Sequence, residues 1–113
     1  MERRRHKRYP FAGIIYFGND SSGTVIEIGH DSLKCLVDKE PEVSKNYIVA
    51  MRTLYEEYPY VSFWISVVRV EKVKDLFEVS ALLNKDKTDI NSVVNLDKLV
   101  DLVSIIEGES NDF

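Results

Sequence analysis

Between Val61 and Val70 the chain alternates: Val61, Phe63, Ile65 and Val67 point one way, and Ser62, Trp64 and Ser66 the other. A period of two over that length fits a strand with one buried face and does not fit an amphipathic helix. The pattern recurs. Leu33, Cys35 and Val37 share a face within Ser32–Asp38, with Lys34 and Asp38 opposite, and Phe77, Val79, Ala81 and Leu83 alternate with Glu78 and Ser80. Phe11–Phe17 is rich in aromatic and β-branched residues and ends in Gly18-Asn-Asp-Ser-Ser-Gly23, a strong turn signal. Thr24–Ile28 and Tyr47–Tyr55 complete the set, separated by a break at Pro41, and Glu56-Glu57-Tyr58-Pro59 turns the chain afterwards. Six short strands in 113 residues form one domain. They predict a mainly β fold, a six-stranded antiparallel barrel, whose closure removes the exposed edges that invite aggregation.

The period then changes. Leu96, Leu99, Val100, Leu102, Val103, Ile105 and Ile106 recur at helical spacing, with Asp97, Lys98, Asp101 and Ser104 opposite. The spacing predicts a C-terminal helix over about 95–107, capped by Asn95, or earlier by Thr88 or Asn91, and stopped by Gly108. Residues 109–113 are expected to fray.

The sequence argues against an enzyme. His6 and His30 are the only histidines, and neither lies at a metal-ligand spacing. Cys35 alternates with core residues and reads as a buried hydrophobe. No glycine-rich phosphate loop precedes the helix. Asp38, Glu40 and Glu42 flank a proline and read as a solvated charge run. A single cysteine allows no internal disulfide. No stretch reaches the ~20 apolar residues of a membrane span, and no secretory signal is recognisable. The expectation is a cytoplasmic protein that starts at its natural Met1.

Charge is unevenly distributed. The first eight residues hold Arg3, Arg4, Arg5, Lys7 and Arg8 against Glu2 alone, while the whole chain carries 15 basic and 19 acidic residues. Without that segment ten basic and eighteen acidic residues remain. A cationic arm, 1–10, thus leads an acidic barrel domain, 11–113. Such an arm attracts phosphate or carboxylate, and arginine grips phosphate with a planar fork. An acidic body offers no second basic stripe along which a nucleic-acid backbone would run, so no specific nucleic-acid partner is expected. Pro10 favours an extended residue before it, which would lay the arm across the barrel mouth.

The opening Glu2-Arg-Arg-Arg-His-Lys-Arg-Tyr-Pro-Phe11 resembles that of a PilZ domain, the bacterial module for the second messenger cyclic di-GMP. The family pattern is Arg-x-x-x-Arg, a first strand, then Asp/Asn-x-Ser-x-x-Gly at the end of the second. The family fold is a six-stranded antiparallel barrel with a C-terminal helix, which matches the reading above. By position Arg4 and Arg8 fill the arginine motif, with Arg5 between them; the resemblance implies that this pair grips phosphates and stacks on guanine. The second motif departs from the pattern. Glu27 stands for Asp or Asn, Gly29 for Ser and Ser32 for Gly. Glu27 keeps an acceptor one methylene further out, Gly29 lacks the hydroxyl, and Ser32 is expected to strain a backbone that wants a positive φ or a close ligand approach. At ~0.5–1.5 kcal/mol per lost hydrogen bond, three changes weaken binding by about ten- to a thousandfold.

The resemblance implies a non-enzymatic signalling protein with no cofactor. It would bind cyclic di-GMP through Arg4, Arg8, Arg5, Glu27, Gly29 and Ser32 and relay this to a downstream protein. The alternative is a degenerate adaptor without the nucleotide, working through Trp64, Ser66, Tyr55, Tyr58, Tyr60 and the apolar helix stripe. A basic-arm nucleic-acid binder ranks below both. The sequence leaves the oligomeric state open.

Overall fold

A computed structural model describes residues 7–18 and 20–111, those beyond 107 by their backbone alone. The strands are β1 (Arg8–Phe17), β2 (Ser22–Gly29), β3 (Ser32–Val37), β4 (Asn46–Arg52), β5 (Tyr60–Val73) and β6 (Leu76–Leu83), followed by the helix α1 (Ile90–Asn111). All neighbouring strands are antiparallel, and they close in the order β1-β2-β3-β6-β5-β4. The expected barrel with its C-terminal helix is what the chain forms.

The alternation dictates which side chains go inside. Val61, Phe63, Ile65 and Val67 are all buried, as are Leu33, Cys35 and Val37, and Val79, Ala81 and Leu83. The register keeps these sets on one face: Cys35 lies opposite Val25 on one side and Val79 on the other. Burying one such side chain contributes about 1.5–3 kcal/mol, so the interior dominates stability. Gly23 is required where β2 meets β3, because a Cβ there would stand 1.8 Å from the Leu36 carbonyl oxygen.

Several boundaries differ from expectation. β4 ends at Arg52, and Tyr55 belongs to the following loop, where the Thr53 hydroxyl binds the Tyr55 and Tyr58 carbonyls. The helix begins at Ile90, not Asn95, because Asp89 caps it: its Oδ2 accepts from the Asn91 N–H at 3.1 Å. Gly108 does not stop it, and the helix runs on to Asn111. Leu96, Leu99, Val100 and Val103 form its buried stripe, packed on the side of β5 and β1. Among the described residues no helix is long and apolar enough to cross a membrane. Asp38 is more than a solvated charge. It accepts from the Ser21 hydroxyl at 2.9 Å and the Ser22 N–H at 3.1 Å, which hold its carboxyl below the ordinary value.

Candidate functional site at the end of the barrel

Antiparallel pairing brings the start of β1, the end of β2 and the start of β3 to one end of the barrel. Arg8 lies opposite Gly29, Tyr9 opposite Ile28, and Pro10 opposite Glu27. The basic segment therefore does not stay apart from the domain: from Arg8 onward it is sheet, and Pro10 tolerates this because the register shifts immediately after it, between Pro10 and Gly13. Arg4 and Arg5 lie outside the described residues.

The Arg8 side chain is only 8% exposed, with Nε 3.5 Å from Glu27 Oε1; Glu27 is 37% exposed. A guanidinium this deep needs a counter-charge, since an unpaired buried ion costs several kcal/mol. Lys34, opposite Glu27 on β3, instead pairs with Glu78 at 3.5 Å. Gly29 is equally constrained. A Cβ built on it would meet the Lys7 carbonyl oxygen at 2.7 Å and Arg8 Cγ at 3.2 Å. The backbone of the arm thus occupies the space that a side chain at position 29 would need. Lys7 itself places its Nζ 5.5 Å from the Tyr9 ring centroid.

Ser32 is buried at 7% exposure, and its Oγ has no hydrogen-bond partner among the described residues. The expected strain is absent. Among the described residues the non-glycine positions with positive φ are Asp20, Ser44 and Lys74, so Ser32 sits in ordinary strand geometry.

His30, which lies at no metal-ligand spacing, has structural partners that the sequence does not mark. It follows Gly29 in the β2–β3 turn and reaches α1 with both ring nitrogens: Nδ1 lies 3.3 Å from Asp97 Oδ1, and Nε2 lies 2.9 Å from Asp101 Oδ1. Lys85 joins from the loop before the helix, 3.0 Å from the same Asp97 oxygen. Partial burial works to raise the Asp97 carboxyl, but hydrogen bonds and charge from Lys85 and His30 outweigh it and hold the carboxyl below its ordinary value. The available signal was the spacing of Asp97 and Asp101, one helical turn apart on the polar face. Beside this cluster lies a cleft of about 420 Å³ lined by Asp31, Ser66, Leu82, Leu83, Asn84, Lys85 and Asp86.

Cys35 is fully buried, and burial pushes its thiol up to about 12, far from a nucleophile's range. No cluster of His, Cys, Asp or Glu among the described residues fits a metal ion. Of the aromatic residues marked as a protein-contact surface, Tyr55 and Tyr58 pack against the core, and Trp64 is half-buried with Lys87 Nζ 5.3 Å from its ring. Tyr60 is 63% exposed.

No protein-family model matches the chain, and no curated protein matches it. Solved structures do. The Bacillus subtilis inhibitor of motility MotI/DgrA superposes with a TM-score of 0.73 at 11% identity, over 95% of this chain and 53% of its own. YcgR from Escherichia coli in complex with c-di-GMP gives 0.73 at 10% identity, over 99% of this chain and 50% of its own. The PilZ domain of YcgR with c-di-GMP gives 0.69 at 10% identity, over 98% of both. The chain spans about half the length of the first two proteins, and the similarity shows a PilZ-like fold.

Proposed function

We propose that this chain is a non-enzymatic bacterial signalling module, working in the cytoplasm, that binds cyclic di-GMP with its N-terminal arginines and passes the signal to a protein partner. The observation that carries the reading is the meeting of Arg8 with Glu27 and Gly29 at one barrel end, in the order of the family's two motifs. Two of the similar folds hold this nucleotide. In this reading Arg8 exchanges its carboxylate partner for a ligand phosphate. Arg4 and Arg5 add two further guanidinium groups from the arm, and the turn through Gly29 and Ser32 borders the base. Charge-assisted hydrogen bonds of ~1.5–3 kcal/mol each make the arginines the largest contributors to affinity, about ten- to a hundredfold apiece.

Calorimetric titration of the full chain with cyclic di-GMP tests this, with Arg4→Ala and Arg8→Ala alongside. Micromolar binding lost in both variants supports the module. No heat at about 100 μM nucleotide, a free energy weaker than about −5.5 kcal/mol, leaves the second reading. That reading is an adaptor without nucleotide, and the engaged, nearly buried Arg8 is the observation in its favour. Its contact surface would be the outer face around Trp64 and Tyr60 together with Ile105 on α1.

A further inference from the structure

We propose that Glu27 and Gly29 together form a lock that holds Lys7 and the start of β1, as far as Pro10, closed on β2. A phosphate ligand must then displace the Glu27 carboxylate from Arg8. The ligand step rests on the nucleotide reading above; the lock itself does not.

Three observations meet on one short piece of backbone. First, Arg8 is sequestered at 8% side-chain exposure, and Glu27 supplies a carboxylate 3.5 Å from its Nε. Glutamate reaches one methylene further than aspartate, so the residue standing in the motif's first position extends a carboxylate toward the arm. Second, position 29 must lack a side chain. A Cβ would press on the Lys7 carbonyl oxygen at 2.7 Å, a backbone atom that cannot rotate away, and would crowd Arg8 Cγ at 3.2 Å. A serine here would lift the arm off β2. Third, residues 27 and 29 are two apart on one strand and so act on the same face, with Arg8 paired directly across from Gly29. Two departures from the family's second motif thus serve one end: the longer acid reaches the arginine, and the missing side chain lets the arm lie flat. The carboxylate competes with phosphate for Arg8, and glycine offers no hydroxyl.

The lock sets both affinity and selectivity. A singly charged anion gains little by replacing a carboxylate already in place. A dianionic ligand gains more from Arg8 and exchanges, releasing the partly exposed Glu27 to solvent.

The test uses the full chain, as wild type and as Glu27→Gln, which keeps the size but removes the charge. Amide hydrogen exchange is followed at Arg8 and Tyr9, with Ile15 and Val25 as core references, and cyclic di-GMP is titrated into both proteins. The lock predicts that Glu27→Gln speeds exchange at Arg8 and Tyr9 by about tenfold or more, leaves Ile15 and Val25 unchanged, and tightens nucleotide binding by about tenfold. Unchanged exchange at Arg8 and Tyr9 overturns the lock, whatever the nucleotide does. Faster exchange with weaker nucleotide binding overturns it too, because Glu27 is then a ligand contact. Faster exchange with no binding in either protein keeps the lock and removes the nucleotide reading.

Discussion

Replacing His30 with leucine measures how firmly the β2–β3 turn is tied to α1. His30 meets Asp101 at 2.9 Å and Asp97 at 3.3 Å, but Asp101 is 65% exposed and Asp97 41% exposed. Exposed pairs contribute about 0.2–1 kcal/mol each. Asp97 also keeps Lys85 when the imidazole is gone, so the loss on that side is at the lower end. The total is about 1 kcal/mol, roughly 4 °C in Tm for a chain of this size. The apolar stripe is far stronger. Leu99 is completely buried, and Leu99→Ala should cost about 2–5 kcal/mol. The stripe therefore holds the helix on the barrel, and the histidine fixes where its polar face sits. In hydrogen exchange, His30→Leu should speed α1 amides around Leu99 and Val103 about fivefold, that is ~1 kcal/mol of local opening, while Phe63 and Ile65 keep their rates. Asp101→Asn should reproduce about half of the effect. If α1 exchange stays unchanged, or the barrel core loosens as much as the helix, the contact does not tie turn to helix and the reasoning fails.

Three further outcomes follow from the geometry. Gly29→Ala should free the start of β1, with faster exchange at Arg8, yet cost no more than about 1 kcal/mol in thermal unfolding, because the clash falls on the strand's first residue rather than on the core; a Tm loss above about 10 °C would contradict this. The depressed Asp97 carboxyl stabilises the fold above its unfolded pKa near 4, and that stability is lost as pH falls through the lower folded value. Unfolding midpoints should thus drop more steeply below pH ~4 in the wild type than in Asp97→Asn, and parallel curves would refute the assignment. With its thiol pushed up to about 12, Cys35 should react with a thiol reagent at pH 8 at least about a thousandfold more slowly than an ordinary cysteine; reaction as fast in native buffer as in denaturant would show that the barrel does not bury it.

The barrel was legible because its signal is local and repeated. The alternating runs put the expected sets inside from Val61 to Val67 and from Val79 to Leu83, with Phe77 only half-buried at the strand's start, and the shift from period two to helical spacing marked α1. The helix start was misread because Asn95 and Asp89 are both capping types, and only the bond from Asn91 N–H to Asp89 distinguishes them. Ser32 was misread for a related reason. The family pattern suggested a glycine there, but backbone φ depends on how β3 leaves the turn, and that path is ordinary. His30 carried no local signal at all. Its partners are 67 and 71 positions away in sequence, and only the folding of α1 against the barrel brings them within reach.

The end of β2 is held from two sides. Glu27 and Gly29 face the arm, and one residue later His30 faces the helix. Only a few soft dihedrals separate Gly29 from His30, so the two contacts share one short stretch of backbone. Displacing the arm and shifting the polar face of α1 therefore draw on the same few torsions. If the two contacts are coupled through the turn, linkage makes the relation reciprocal, and His30→Leu should speed exchange at Arg8 as well as in α1; unchanged exchange at Arg8 would show that the turn does not join them. A barrel whose core strands are fixed by fully buried residues leaves this short turn as the economical place for such coupling, because moving any core strand would break packing that contributes several times more.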